Sequence, residues 1–467
     1  MTRSQRVGGA SRVSRRWLLA GTAGMAAAGT ALSAAACSPP GGSGGAAPGG
    51  AGASIRPGTT LRLYDGVSGT LVEPYSEILA QFTARTGAKV EADPPVSSGV
   101  WNEVLLSQVS GGTAPDVSVG YGNELFFFID NGAATDITQR VARDVPKADF
   151  DDWLPSQVQM FKRNGKQYAL PKYCGTSAFY YNKTMFNQAG VPFPDDKMTW
   201  MQYREKLVAL TKSDGATNTT FGLSHNSAAH LGYIMSWMVW SWGGEVTDPQ
   251  DDSKCLLDQP PALEALQFWQ DLRWKYHVLP TPDEGAALGS GNLFSRSIAA
   301  TERNGSWLIP TYQMDNPALQ WDVFPNPLGP TGKRATFHTT DGYLMFNNSA
   351  SKAPDAAWQL LRFVTSPEWG RMLIRTRQRQ PARRSLAPEW IKTTNEVAPS
   401  SKEANLEVFV KGFEYARPQH SFSNNPKAYE ILDPVLDAVY NKNEISASQA
   451  FREAAPKVTQ LLQSLKR

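Results

Sequence analysis

The chain has 467 residues, of which 46 are basic and 43 acidic, for a formal net charge of +3. Five of the basic residues, Arg3, Arg6, Arg12, Arg15 and Arg16, crowd the first 16 positions, and setting them aside leaves 41 basic against 43 acidic residues, a net −2. A near-neutral body speaks against nucleic acid as a partner, because phosphate binding needs a basic face.

In chain order, the first segment reads as an address rather than as structure. No acid occurs before Asp65, and Ser14-Arg15-Arg16-Trp17-Leu18-Leu19 reads as a twin-arginine export signal. A weakly apolar Ala/Gly run follows to Ala36, and then Cys37. Small residues ahead of that cysteine suggest lipoprotein processing, with residues 1–36 removed and Cys37 lipidated. The motif is imperfect, since Ala34 stands where leucine is usual. Ordinary cleavage after Ala36 and a retained membrane helix are the rival readings. Residues 38–54 are Ser, Pro, Gly and Ala only. Such a segment cannot bury a core, so 37–58 reads as a flexible tether.

The body from about residue 59 is long enough for two domains. Leu61–Tyr64 reads as a first strand. Tyr75, Ile78, Leu79 and Phe82 share one helical face that stops at Gly87. Val90 opens a second strand and Asp116–Val119 a third. Thr199 to Gln202 forms a capping box ahead of Trp200, Tyr203, Leu207 and Leu210. Pro260-Pro261 opens a helix carrying Leu263, Leu266, Trp269, Leu272 and Tyr276. Ala357, Leu360, Leu361 and Val364 mark another. Ser446 to Gln449 caps a last helix, interrupted or kinked at Pro456. The basic stretch Arg371, Arg375, Arg377, Arg379, Arg383, Arg384 reads as a solvated helix face with its following loop. Alternation of strands and helices predicts an α/β architecture.

Fourteen tryptophans are many for this length. Trp200, Trp269 and Trp358 sit on helices and read as core. Trp240, Trp242 and Trp307 sit in glycine-rich contexts, Trp240-Ser241-Trp242-Gly243-Gly244 and Gly305-Ser306-Trp307. Of the three cysteines, Cys174 and Cys255 remain once Cys37 is assigned to lipid. They read equally as a disulfide or as two free buried thiols.

A series of short stretches carries a resemblance. They are Gly112-Thr113-Ala114-Pro115-Asp116-Val117, Asn131 to Thr138, Gly165 to Pro171, Tyr180 to Phe186, Ala189-Gly190 to Thr199-Trp200, Gly243-Gly244, Ala299-Ala300 to Gly305-Ser306-Trp307, and Asp341-Gly342 through Ala356-Ala357-Trp358. In this order and spacing, over about residues 60 to 460, the chain resembles the extracellular solute-binding proteins of ABC importers, in the family of the maltose- and oligosaccharide-binding proteins. The resemblance implies a two-lobed periplasmic-binding-protein-like α/β fold that closes on its ligand like a hinge. It implies an N-terminal lobe of 59–172 plus 341–382 and a C-terminal lobe of 173–340 plus 383–467. Three crossings are implied, near Pro171-Tyr173, Thr340-Asp341 and Gln380-Arg383. The partners implied are a small solute, a sugar by preference, and a membrane permease; the protein would act as a monomer without a cofactor.

A sugar offers apolar C–H faces to aromatic rings and hydroxyls to charged groups, whose hydrogen bonds are about twice as strong as neutral ones. The stacking candidates are Trp307 and Trp242, then Trp240. Asp65 and Gly66 follow the first strand, and Asn123 and Glu124 follow the third. Tyr173, Asp341 and Arg383 lie at the implied crossings, and Ser98 with Trp101 forms a weaker pair. For each there is a blander reading, as a core tryptophan or as a turn or hinge residue. The rival functional classes are a secreted carbohydrate-active enzyme and a binding protein for a non-sugar solute. The acidic pairs Asp151-Asp152, Asp195-Asp196 and Asp251-Asp252 sit in polar, turn-like stretches, and Ser349 and Lys352 match S-x-x-K without its partner motifs. No zinc signature, phosphate-cradling glycine loop or nucleophile elbow occurs. The expectation is therefore a binding protein, not an enzyme, with no metal.

Overall fold

The computed structural model describes residues 55–65, 72–93, 101–121, 125–215, 218–224, 231–377, 379–397, 400, 402–418 and 427–465. Residues 1–54, which hold the segment read as an export signal, Cys37 and most of the stretch read as a tether, lie outside the described residues, as do Gly66, Ser98, Asn123 and Glu124. For Trp101 only its backbone place is described, at the start of the helix Trp101–Ser110.

Twelve strands occur among these residues: β1 (Thr60–Tyr64), β2 (Lys89–Ala92), β3 (Val117–Tyr121), β4 (Lys162–Arg163), β5 (Lys166–Gln167), β6 (Ala169–Asn182), β7 (Lys212–Ser213), β8 (Asn218–Leu223), β9 (Ala299–Gly305), β10 (Trp321–Phe324), β11 (Thr336–Met345) and β12 (Ala416–Pro418). Ten of them join one mixed sheet in the order β2-β1-β3-β11-β6-β9-β8-β7, with β10 on β6 and β12 on β11. The long strand β6 changes partners along its length. Its first half, Ala169–Thr176, pairs with β11, whereas Ser177–Asn182 pairs with β9 and β10. β11 changes partners too, from β12 at Thr336–His338 to β3 at Asp341–Met345.

Each half of the sheet carries its own core. Around β1, β3 and the first half of β6, the residues Leu61, Leu63, Val117 and Leu170 pack with Tyr75, Ile78, Leu79 and Phe82 of the helix Val72–Thr86. That helix ends where Gly87 takes φ +75°, a left-handed conformation that favours glycine. On one face of the second half, Phe179 packs with Trp200, Tyr203 and Leu207 of the helix Trp200–Leu210. The predicted capping box starts that helix: Thr199 Oγ1 accepts from the Gln202 N–H, and Gln202 Oε1 accepts from the Thr199 N–H. On the other face, Tyr180 packs with Phe294, Tyr312 and Trp321.

The last helix, Ala447–Leu465, is not interrupted at Pro456 but runs through it. A proline removes one hydrogen bond from a helix. Here the buried residues Phe451, Ala455, Val458 and Leu462 hold one face on both sides of the break in the ladder. Among the described residues, no helix is long and apolar enough to cross a membrane.

Candidate ligand site at the β6–β11 strand pair

Where β6 hands over from one half of the sheet to the other, three chain segments lie abreast. On one side Tyr173, Cys174 and Gly175 pair with Asp341, Thr340 and Thr339 of β11. On the other side, Cys174 N–H donates to Gln380 O (3.2 Å), Ala382 N–H donates to Lys172 O (3.2 Å), and Tyr173 bridges Pro381. Alternation along a strand places Tyr173 and Gly175 on one face, with Asp341 and Thr339 opposite them on the same face.

Trp307 lies on that face. It follows β9 in a short 3-10 turn, Ser306–Leu308, and its ring covers Gly175 and Gly305. A Cβ on Gly175 would stand 2.9 Å from the ring, so an alanine there would displace it, and Gly305 is closer still. The tryptophan is half-buried and packs against the core of the second half. Ser306, beside it, donates to Gln380 Oε1 (3.3 Å), which ties the turn to the third segment.

Charged groups gather around Tyr173. Asp341 is half-buried, and burial pushes its carboxyl up to about 6 although Lys172 and Arg379 act against the shift. The Arg379 guanidinium stands 5.9 Å from the Tyr173 ring centroid. The Lys172 ammonium stands 4.8 Å from the rings of both Tyr173 and Tyr343. Lys172 forms an ion pair with Asp65 in which both side chains are almost fully buried, 2% and 0% exposed. Asp65 also accepts a hydrogen bond from Tyr75 Oη. A buried charge persists only when so paired.

The other sequence candidates lie elsewhere. Trp242 follows the helix Leu231–Ser241 and is 6% exposed, its ring 5.2 Å from Phe268 and 5.9 Å from Trp200. Trp240 is equally buried beneath the Arg417 guanidinium, which is 5.1 Å from its ring and held by both oxygens of Glu245. Arg383 is buried, donating from Nε to Thr365 O (2.8 Å) and from Nη1 to Asp149 O (3.2 Å) and Asp152 Oδ2 (3.3 Å), and lies over Trp153. The basic stretch around it is thus not uniformly solvated, since Arg383 and Arg379 turn inward.

The sequence left open a pairing of Cys174 with Cys255, and that bond is not formed. Both thiols are free, buried in different cores. Cys174 Sγ donates to Pro381 O (3.1 Å), and burial pushes the Cys255 thiol up to about 12, which suppresses the thiolate. No group of three or more potential metal ligands occurs among the described residues. Sequence reasoning brought Tyr173, Trp307 and Asp341 to this face and missed Lys172, Arg379 and Arg303. Arg303 stands on β9 two residues before Gly305, on the same face, and nothing in its neighbours in sequence sets it apart.

A sheet that passes between two cores, with a half-buried aromatic and a carboxylate at the passage, defines a two-lobed solute-binding fold. Residues 68–371 match the family of bacterial extracellular solute-binding proteins, and the chain belongs to that family. An arabinooligosaccharide-binding protein of Halalkalibacterium halodurans is 23% identical over 300 residues, covering 57% of this chain and 62% of the relative. Among solved structures, the ABC substrate-binding protein Lmo0181 of Listeria monocytogenes in complex with cycloalternan superposes with a TM-score of 0.71 at 19% identity, over 88% of this chain and 100% of that one. UgpB of Mycobacterium tuberculosis in complex with glycerophosphocholine also gives 0.71, at 17% identity, over 87% and 99%. These two likenesses are likenesses of fold.

Proposed function

We propose that this protein captures a sugar or oligosaccharide between its two lobes and delivers it to an ABC importer, without altering it chemically. One observation carries the reading. The half-buried Trp307 ring covers two glycines, beside the facing pair Tyr173 and Asp341. A flat aromatic surface suits the C–H face of a sugar ring, and a carboxylate beside it suits the hydroxyl rim. The relatives named for arabinooligosaccharide and crystallised with cycloalternan support a carbohydrate.

In this reading the lobes are 59–172 plus 341–382 and 173–340 plus 383–467, and the three abreast segments are the hinge about which they close. The protein is exported by its first 36 residues, held on the extracytoplasmic side of the cell membrane by a lipid on Cys37, and works as a monomer whose closed form meets the permease. Of the sequence candidates, Tyr173, Trp307 and Asp341 form the described part of the site. Asp65 acts through Lys172, and Gly66, Ser98, Trp101, Asn123 and Glu124 remain candidates at the loops that follow the early strands. Trp240, Trp242 and Arg383 serve packing.

The test is a thermal-shift screen of the full chain against mono- and oligosaccharides. A ligand that binds only the folded state raises the melting temperature by mass action. A saturable rise with one sugar class, the sugar being recovered unchanged, is expected. Conversion of the sugar would instead identify a carbohydrate-active enzyme, and a rise with non-sugar solutes alone would move the ligand out of the carbohydrates. Cys37→Ala is expected to release the protein from membranes, and its continued retention there would contradict lipid anchoring.

A further inference from the structure

Arg303 occupies the same sheet face as Trp307. It sits on β9 opposite Phe179 of β6, two residues from Gly305, whose surface the Trp307 ring covers. Its guanidinium lies 3.8 Å from the Trp237 ring centroid and 5.1 Å from that of Phe337. Among the described residues its hydrogen bonding is slight: Nη2 donates to Thr336 Oγ1 at 3.3 Å, and Nε is buried with no partner. No carboxylate of the described residues forms a salt bridge with it, although the residue is only half-buried and burial lowers its pKa well below the ordinary value.

This arrangement is costly for a protein at rest. Removing a cation from water is costly unless an opposite charge offsets it. Stacking on two rings returns part of that cost. Other buried cations have partners within the protein, and for Arg273 the acceptor is the Tyr440 carbonyl. Lys172 has Asp65, and Arg383 has Asp152. The planar fork of an arginine is suited to a carboxylate or a phosphoryl group, which it can hold through two parallel N–H bonds.

We infer that Arg303 is a specificity-determining residue that pairs with an oxyanion on the captured solute, a carboxylate or a phosphoryl group, at the end of the ligand remote from Asp341. The inference rests on the capture reading above and narrows its ligand class. From Phe179, which faces Arg303, to Tyr173, which faces Asp341, is six residues of β6, roughly 20 Å of strand, and Trp307 lies between. Phe179 itself is buried under the helix Trp200–Leu210, so a ligand would meet the carboxylate and the indole and reach only the half-exposed guanidinium beyond them. Its anion would give Arg303 the counter-ion that it lacks among the described residues.

The test is calorimetric titration of the full chain with matched probes. Trigalacturonate is compared with its neutral methyl ester, and glycerophosphocholine with glycerol and with choline. The expected result is binding at least tenfold tighter for the uronate than for its methyl ester, or for the phosphodiester than for either of its fragments. Arg303→Met is expected to weaken the acid at least tenfold more than the counterpart, and Arg303→Lys to recover part of the loss. Preference for the uronate or for the phosphodiester identifies the source of the anion. Equal affinity for acid and ester, or acid binding that Arg303→Met leaves unchanged, would overturn the inference. If neutral esters and neutral sugars bind as well as the acids, capture stands and the inference alone falls. If no probe and no neutral sugar binds, both fall. An unchanged melting temperature of Arg303→Met separates a lost contact from a lost fold.

Discussion

Lys172 and Arg303 are both cations withdrawn from water on neighbouring strands, and they are treated in opposite ways. Lys172 is closed into an ion pair with Asp65 and roofed by the rings of Tyr173 and Tyr343. Arg303 is laid on the rings of Trp237 and Phe337 without a carboxylate among the described residues. The first arrangement is complete within the protein and serves the strand it stands on. The second is complete only with something added. Burial alone therefore does not distinguish a structural charge from a recognition charge.

Substitution sharpens this contrast. Lys172→Met leaves the Asp65 carboxylate buried without its partner, and breaking such a pair costs about 3–5 kcal/mol. Urea unfolding should show a loss of that size, whereas Arg303→Met should lie within about 1 kcal/mol of the parent or above it, because an apolar side chain replaces an unpaired buried charge. A loss on Arg303→Met as large as that on Lys172→Met would erase the distinction.

The two tryptophan environments give the next largest effect. Trp242 is 6% exposed and wedged between Trp200 and Phe268, so Trp242→Ala should destabilise by about 3 kcal/mol. Trp307 is half-buried over glycines, and Trp307→Ala should cost less than half as much stability while abolishing detectable sugar binding. Gly175→Ala is a finer cut. Its methyl meets the Trp307 ring, so sugar affinity should fall several-fold in calorimetry with little change in melting temperature.

The smallest effect is one of pH. The Asp341 carboxyl is pushed up to about 6, above its unfolded value, chiefly by burial, with Asp65 adding to the shift and Lys172 and Arg379 opposing it. A raised acid contributes stability that is present at low pH and is lost as pH rises through the folded value. The melting temperature of the parent should therefore fall relative to Asp341→Asn between about pH 4 and 6. Parallel curves would show that the carboxyl titrates as in the unfolded chain.

Much of the architecture was legible in the chain. Apolar residues at helical spacing marked the helix Val72–Thr86, with Tyr75, Ile78, Leu79 and Phe82 all buried, and the Thr199–Gln202 capping box marked the start of the helix Trp200–Leu210. The helix opened by Pro260-Pro261 ends at Trp274, just short of Tyr276. The site was only partly legible. Glycine beside tryptophan marked both Trp307 and Trp242, but glycine does one thing at each. At Trp307 it clears backbone for the ring to lie on, whereas Trp242 is packed by side chains distant in sequence, Trp200 and Phe268. Arg379 and Arg383 belong to one basic run, yet one meets Tyr173 and the other Asp152. Which partner an arginine finds is set by the tertiary fold, and no local pattern records it.

The central claim is that a solute binds across the Tyr173–Asp341 pair against Trp307. It is tested most directly by a crystal structure of the protein with the best ligand from the sugar screen. The account predicts a sugar ring stacked on the Trp307 indole with a hydroxyl on Asp341. A ligand bound at full occupancy elsewhere, with the Trp307 face bare, would contradict it.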